Sequence, residues 1–121
     1  DPGRFELRLM DGSANPYLLQ ASVLAAGLDG LKNKIDPGKP LNCNMYEDHE
    51  KYPNLPKLPD NLDQSLEKLK NNKDMNDAFG KEVINSYIKL RNSEINEFKQ
   101  KESFDKTKAI TSWERDNTLD C

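Results

Sequence analysis

Residue periodicity predicts a mainly helical chain with one N-terminal strand. Three observations carry that expectation. Residues 4–9 alternate charged and apolar side chains, Arg4-Phe5-Glu6-Leu7-Arg8-Leu9, which is the period of a strand with one face in contact with a core. Three later segments carry apolar residues at helical spacing, each with a start or stop signal at its edge. The hydrophobic fraction is 35% against 32% charged residues in 121 residues, enough for one modest domain with a thin core.

Residues 4–10 are the expected strand, and Asp11-Gly12-Ser13 the turn that ends it. Asn15-Pro16 starts a helix over residues 15–34, with Asn15 as N-cap and Pro16 in the first helical position. Its first half is apolar around nearly its whole circumference (Leu18, Leu19, Ala21, Val23, Leu24, Ala25 and Ala26), which predicts burial on several sides. Gly27 and the alanines would allow close backbone approach there. Asp29 and Lys32 read as charges at a helix end.

Residues 36–60 hold five prolines, at 37, 40, 53, 56 and 59, and are expected to form a long irregular loop. Helices follow over residues 61–102. The first is capped by Asp60 or Asn61, carries Leu62, Leu66 and Leu69 on one face, and is broken at Asn71-Asn72. A short turn follows from Met75 to Phe79 and stops at Gly80. A long amphipathic helix then spans residues 81–101, with Val83, Ile84, Tyr87, Ile88, Ile95 and Phe98 as its stripe. The tail, residues 103–121, is polar, with Phe104, Ile110, Trp113 and Leu119 as packing anchors.

Composition excludes several partners. The net charge is −3 and the pI about 5.2, so neither nucleic acid nor an anionic membrane is an expected general partner. No apolar run reaches the roughly 18 residues of a membrane span. Cys43 and Cys121 form no recognisable framework, and a reducing cytoplasm is the expected location. The chain begins Asp-Pro-Gly rather than Met and opens into a strand that needs partners. It reads as a piece of a longer polypeptide.

The chemistry lies in residues 4–8. On a strand, Arg4, Glu6 and Arg8 share one face. A carboxylate is a hard ligand for Mg²⁺ or Mn²⁺, and guanidinium groups bind phosphate and carboxylate in bidentate fashion. The pentapeptide by itself favours the plainer reading, a surface strand whose charges neutralise one another. His49 among Glu47, Asp48 and Glu50 is expected to be a solvated loop histidine rather than a metal ligand.

The blocks Arg4-Phe5-Glu6-Leu7-Arg8, Asp11-Gly12-Ser13-Ala14-Asn15-Pro16-Tyr17-Leu18, Leu24-Ala25-Ala26-Gly27-Leu28-Asp29-Gly30, Lys32-Asn33-Lys34-Ile35-Asp36-Pro37-Gly38 and Asn44-Met45-Tyr46 together resemble the C-terminal part of glutamine synthetase catalytic domains. The resemblance continues less strongly over residues 58–91. It implies the C-terminal segment of an α+β catalytic domain in which residues 4–10 join the active-site sheet. It also implies an ATP-dependent glutamate–ammonia ligase. There the glutamate γ-carboxylate takes the γ-phosphoryl group of ATP, and ammonia then displaces phosphate.

By the same resemblance Glu6 is a ligand of Mg²⁺ or Mn²⁺, and Arg8 contacts glutamate and the transferred phosphoryl group. Arg4 lies near the nucleotide. Tyr46 matches a tyrosine that some bacterial synthetases modify with AMP, although Glu47-Asp48-His49-Glu50 departs from the family context and a plain exposed tyrosine is the favoured reading. The resemblance implies a homo-oligomeric ring for the parent protein. The ending, Ser112-Trp113-Glu114-Arg115-Asp116-Asn117-Thr118-Leu119-Asp120-Cys121, looks more like the type III, or GlnT-like, branch. Some members of that branch are thought to join methylamine to glutamate, so a γ-glutamyl-amine ligase is an alternative. A helical interaction module without catalysis is another. With most of the catalytic set absent, the 121-residue chain alone is expected to be inactive.

Overall fold

The computed structural model describes residues 3–101 and 110–118. Among them are six α-helices: α1 (Pro16–Lys32), α2 (Met45–Asp48), α3 (Leu62–Asn71), α4 (Lys73–Phe79), α5 (Lys81–Lys101) and α6 (Ser112–Thr118). A single 3₁₀ turn, His49–Lys51, follows α2. The predicted anchors Phe104 and Leu119, and Cys121, lie outside the described residues.

No strand occurs among the described residues, which corrects the expected strand over residues 4–10. Residues 4–9 make no backbone hydrogen bonds among the described residues. The alternation is there, but a ladder needs a neighbour, and no other described segment supplies one.

Local chemistry accounts for the helix ends. The Asn15 side chain accepts hydrogen bonds from the amides of Tyr17 and Leu18, both at 3.1 Å. At the other end of α1, the Ile35 amide donates to the Gly30 carbonyl at 2.9 Å and the Lys34 amide to the Leu31 carbonyl at 3.3 Å. That is a Schellman arrangement, with Lys34 in the left-handed position at φ +50° where glycine is usual.

Asn72 serves two helices. Its amide donates to the Leu69 carbonyl at 3.1 Å, closing α3, and its side chain accepts from the Met75 amide at 2.9 Å, opening α4. The Asn76 amide group donates to the carbonyls of Leu69, Lys70 and Asn72 at 3.4, 3.2 and 2.6 Å. The Leu69 and Lys70 carbonyls lie in the last turn of α3, which has no intrahelical donors for them, and the Asn72 carbonyl also accepts from the Asn76 amide at 3.1 Å. Gly80 sits at φ +84° between α4 and α5, accepting from the Ile84 amide at 3.2 Å.

The core lies among α3, α4 and α5, where Leu66 and Ile84 are each 5% exposed and Ile95 8%. Lys99 of α5 reaches Asp63 of α3 at 3.1 Å. Also on α5, the half-buried Arg91 guanidinium lies 5.2 Å from the Tyr87 ring centre and pairs with Glu94 at 2.6 Å. Burial works against the charged form of Arg91, but Glu94 and Tyr87 outweigh it and raise its pKa.

Helix α6 begins with a capping box absent from the sequence-based expectations. The Thr111 amide donates to the Glu114 carboxylate at 2.8 Å, and the Glu114 amide donates to the Thr111 hydroxyl oxygen at 3.1 Å. The predicted anchor Trp113 meets Phe98 of α5 edge-to-face, with ring centres 5.6 Å apart.

Helix α1 has no buried residue, contrary to the expectation of burial on several sides. It packs chiefly on α4, and Leu24, Leu28 and Leu31 remain 63, 56 and 77% exposed. Gly27 has nothing within 4 Å of where a side chain would begin, so the expected close backbone approach is not made. An apolar circumference needs covering elements on several sides, and the described residues place only α4 and part of the N-terminal segment there.

Candidate functional site

Glu6 and Arg8 meet directly. The Arg8 guanidinium Nε donates to the Glu6 carboxylate across two positions of extended backbone, so the two side chains share a face as alternation requires. Both are open to solvent, Arg8 at 75% and Glu6 at 55% side-chain exposure. Arg4 is exposed and makes no ion pair among the described residues.

The opposite side of the segment faces α1. Phe5, Leu7 and Met10 line a shallow apolar groove with Val23, Leu24 and Leu28. Leu9, expected beside Phe5 and Leu7, is not part of that lining. The chain bends at Met10, which brings Met10 into the groove in its stead.

The turn that follows is held by Asp11. Its carboxylate accepts from the Ser13 hydroxyl at 2.6 Å and from the Ser13 amide at 2.8 Å. The hydroxyl bond first, then the amide bond, holds the Asp11 pKa below the usual aspartate value. The turn joins the charged segment to the cap of α1.

Tyr46 lies apart from the pair. It sits in α2, capped by the Asn44 side chain at 3.2 Å, and is 87% exposed. No hydrogen bond or ion pair links it to Arg4, Glu6 or Arg8 among the described residues. His49 begins the 3₁₀ turn, exposed.

As to a divalent metal, no group of three or more His, Cys, Asp or Glu side chains converges among the described residues. Glu6 offers one carboxylate already shared with Arg8. Mg²⁺ takes about six oxygen ligands in near-octahedral order, so these residues do not form a metal site by themselves. No described helix is long and apolar enough to cross a membrane.

The sequence model for "glutamine synthetase, catalytic domain" matches residues 1–116. A glutamine synthetase of Rhizobium meliloti (strain 1021) is 43% identical over 119 residues, covering 98% of this chain and 26% of the relative. A glutamine synthetase of Methanococcus maripaludis is 35% identical over 114 residues, covering 92% and 24%. A glutamate–methylamine ligase of Methyloversatilis universalis is 35% identical over 121 residues, covering 98% and 25%. No solved structure matches. The chain spans about a quarter of the length of these curated relatives. Matched almost from end to end by the family's sequence model, with its Arg-x-Glu-x-Arg segment leading into a capped helix, the chain belongs to the glutamine synthetase catalytic-domain family.

Proposed function

We propose that this chain is the C-terminal part of an ATP-dependent glutamate–ammonia ligase. The observation that carries the reading is the contact of Glu6 and Arg8 on one face of an extended segment whose other face is apolar. In the longer protein residues 4–10 take their place in a sheet, with Phe5 and Leu7 on the α1 side and the charged face toward the substrates.

Arg8 there holds the glutamate carboxylate and the transferring phosphoryl group by paired N–H donors. Arg4 approaches the nucleotide phosphates. Glu6 supplies one oxygen ligand for Mg²⁺ or Mn²⁺, whose role is to neutralise phosphate charge; the other ligands come from outside this chain. The parent is a homo-oligomeric ring in the cytoplasm, and Tyr46, open to solvent, is accessible to modification.

In the full-length protein Glu6→Ala is expected to lower kcat by about 10²-fold or more, with the thermal midpoint little changed because Glu6 lies on the charged face and not on the apolar one that packs on α1. Steady-state glutamine formation and a melting curve on the same preparation check this. Near-normal turnover would overturn the metal assignment. The 121-residue chain alone is expected to show no turnover. A relative named glutamate–methylamine ligase favours a second reading, in which the amine is methylamine. The ratio of kcat/KM for ammonia and methylamine in the full-length enzyme decides between them.

A further inference from the structure

Two kinds of contact hold the charged segment on α1. The first is apolar: Phe5, Leu7 and Met10 line the groove with Val23, Leu24 and Leu28. Apolar contact is non-directional. It fixes which face of the segment turns toward α1 and leaves the segment able to tilt.

The second is polar and directional. The Asp11 carbonyl accepts from the Ala14 amide at 3.2 Å. One oxygen of the Asp11 carboxylate, Oδ1, accepts from the Ser13 hydroxyl at 2.6 Å and from the Ser13 amide at 2.8 Å. Asn15 then caps α1 through the amides of Tyr17 and Leu18. Hydrogen bonds thus lead from Asp11 directly into the first turn of α1.

Asp11 stands three residues from Arg8, an arm of at most about 10 Å. Over that arm a tilt of about 10° at the turn carries Arg8 by roughly 1–2 Å. A misplacement of about 1 Å in a group that holds substrate can cost about 10²-fold in rate. In a longer protein, neighbouring strands fix the register of residues 4–10 through their backbone ladder. The turn fixes the angle at which the end of that strand meets α1.

We infer that Asp11 is a positioning residue: by gathering Ser13 it locks the end of the charged segment onto α1 and so aims Arg8 at the glutamate carboxylate and the transferring phosphoryl group. The inference rests on the ligase reading and on the role proposed there for Arg8. Because one oxygen takes both bonds from Ser13, the position requires an acceptor in that place rather than a negative charge. The side-chain oxygen of asparagine is such an acceptor.

Steady-state kinetics of the full-length protein test it, with glutamate varied, on the natural sequence and on three variants. Asp11→Ala removes both side-chain bonds and is expected to raise the KM for glutamate and lower kcat, together reducing kcat/KM about tenfold or more. Asp11→Asn keeps the acceptor and is expected to stay within about twofold of the natural enzyme. Ser13→Ala removes the hydroxyl bond alone and is expected to raise the same KM by a smaller factor, which keeps the comparison open if Asp11→Ala yields no enzyme. Loss of folded protein lowers apparent kcat and leaves KM where it was, so the shift in KM separates aiming from stability. A natural KM in Asp11→Ala or in Ser13→Ala, or an Asp11→Asn enzyme as impaired as Asp11→Ala, overturns the inference and leaves the ligase reading standing. A natural full-length protein without turnover overturns that reading, and the inference with it.

Discussion

At the scale of single residues, the N-terminal segment is organised by short polar contacts. Glu6 and Arg8 hold each other, and Asp11 gathers the Ser13 hydroxyl and amide. Asp11 is mostly exposed, so its contribution is a local preference for the turn. Its depressed pKa has a definite sign. A carboxylate with a folded pKa below its unfolded one stabilises the fold above the unfolded value, near 3.9, and loses that contribution as pH falls through the folded value. Ser13→Ala removes the larger of the two bonds and is expected to move the Asp11 pKa up toward the ordinary value, with the amide bond keeping it somewhat below. A side-chain NMR titration of Asp11 in both proteins checks the shift. An unchanged titration would mean that the hydroxyl bond is absent in solution.

At the scale of elements, the helices are separated by residues with unusual backbone duties. Gly80 and Lys34 both have positive φ, +84° and +50°, but their substitutions should act in opposite directions. Gly80→Ala places a side chain in a region L-residues seldom enter and is expected to destabilise the fold by about 1–3 kcal/mol. Lys34→Gly relieves a left-handed lysine at the end of α1 and is expected to stabilise the fold, or at least that helix end, by about 0.5–1 kcal/mol. Urea unfolding of the two variants beside the parent measures both signs. Asn72 and Asn76 bind the α3–α4 junction more firmly than a break at two asparagines implies, since the Asn72 side chain caps the start of α4 and the Asn76 side chain donates to carbonyls in the last turn of α3.

At the scale of the whole chain, burial is uneven. Among the described residues the three buried apolar ones, Leu66, Ile84 and Ile95, lie on α3 and α5, and Trp113 extends that cluster to α6 through Phe98. Helix α1 carries the most apolar sequence and has no fully buried residue. Amide hydrogen exchange is therefore expected to show slower exchange in α5 around Ile84 and Ile95 than anywhere in α1. Equal or greater protection in α1 would mean that its apolar face is covered in solution, by a second copy or otherwise.

The division between what could be read and what could not follows range. Asn15-Pro16, Asn61, Gly80 and the isoleucine stripe of α5 act over one or two helical turns, so the sequence by itself determined where those helices begin, stop and turn their apolar face. The Thr111–Glu114 capping box is equally local, written as Thr-Ser-Trp-Glu within an otherwise polar tail. The family blocks identified the chain by their order, and with it the roles proposed for Arg4, Glu6 and Arg8. Tertiary structure alone decided that α1 stays open, that Met10 rather than Leu9 faces the groove, and that residues 4–9 are extended but unpaired. Each of these depends on what lies across from the segment, and neither alternation nor apolar content within a segment carries its neighbour's position.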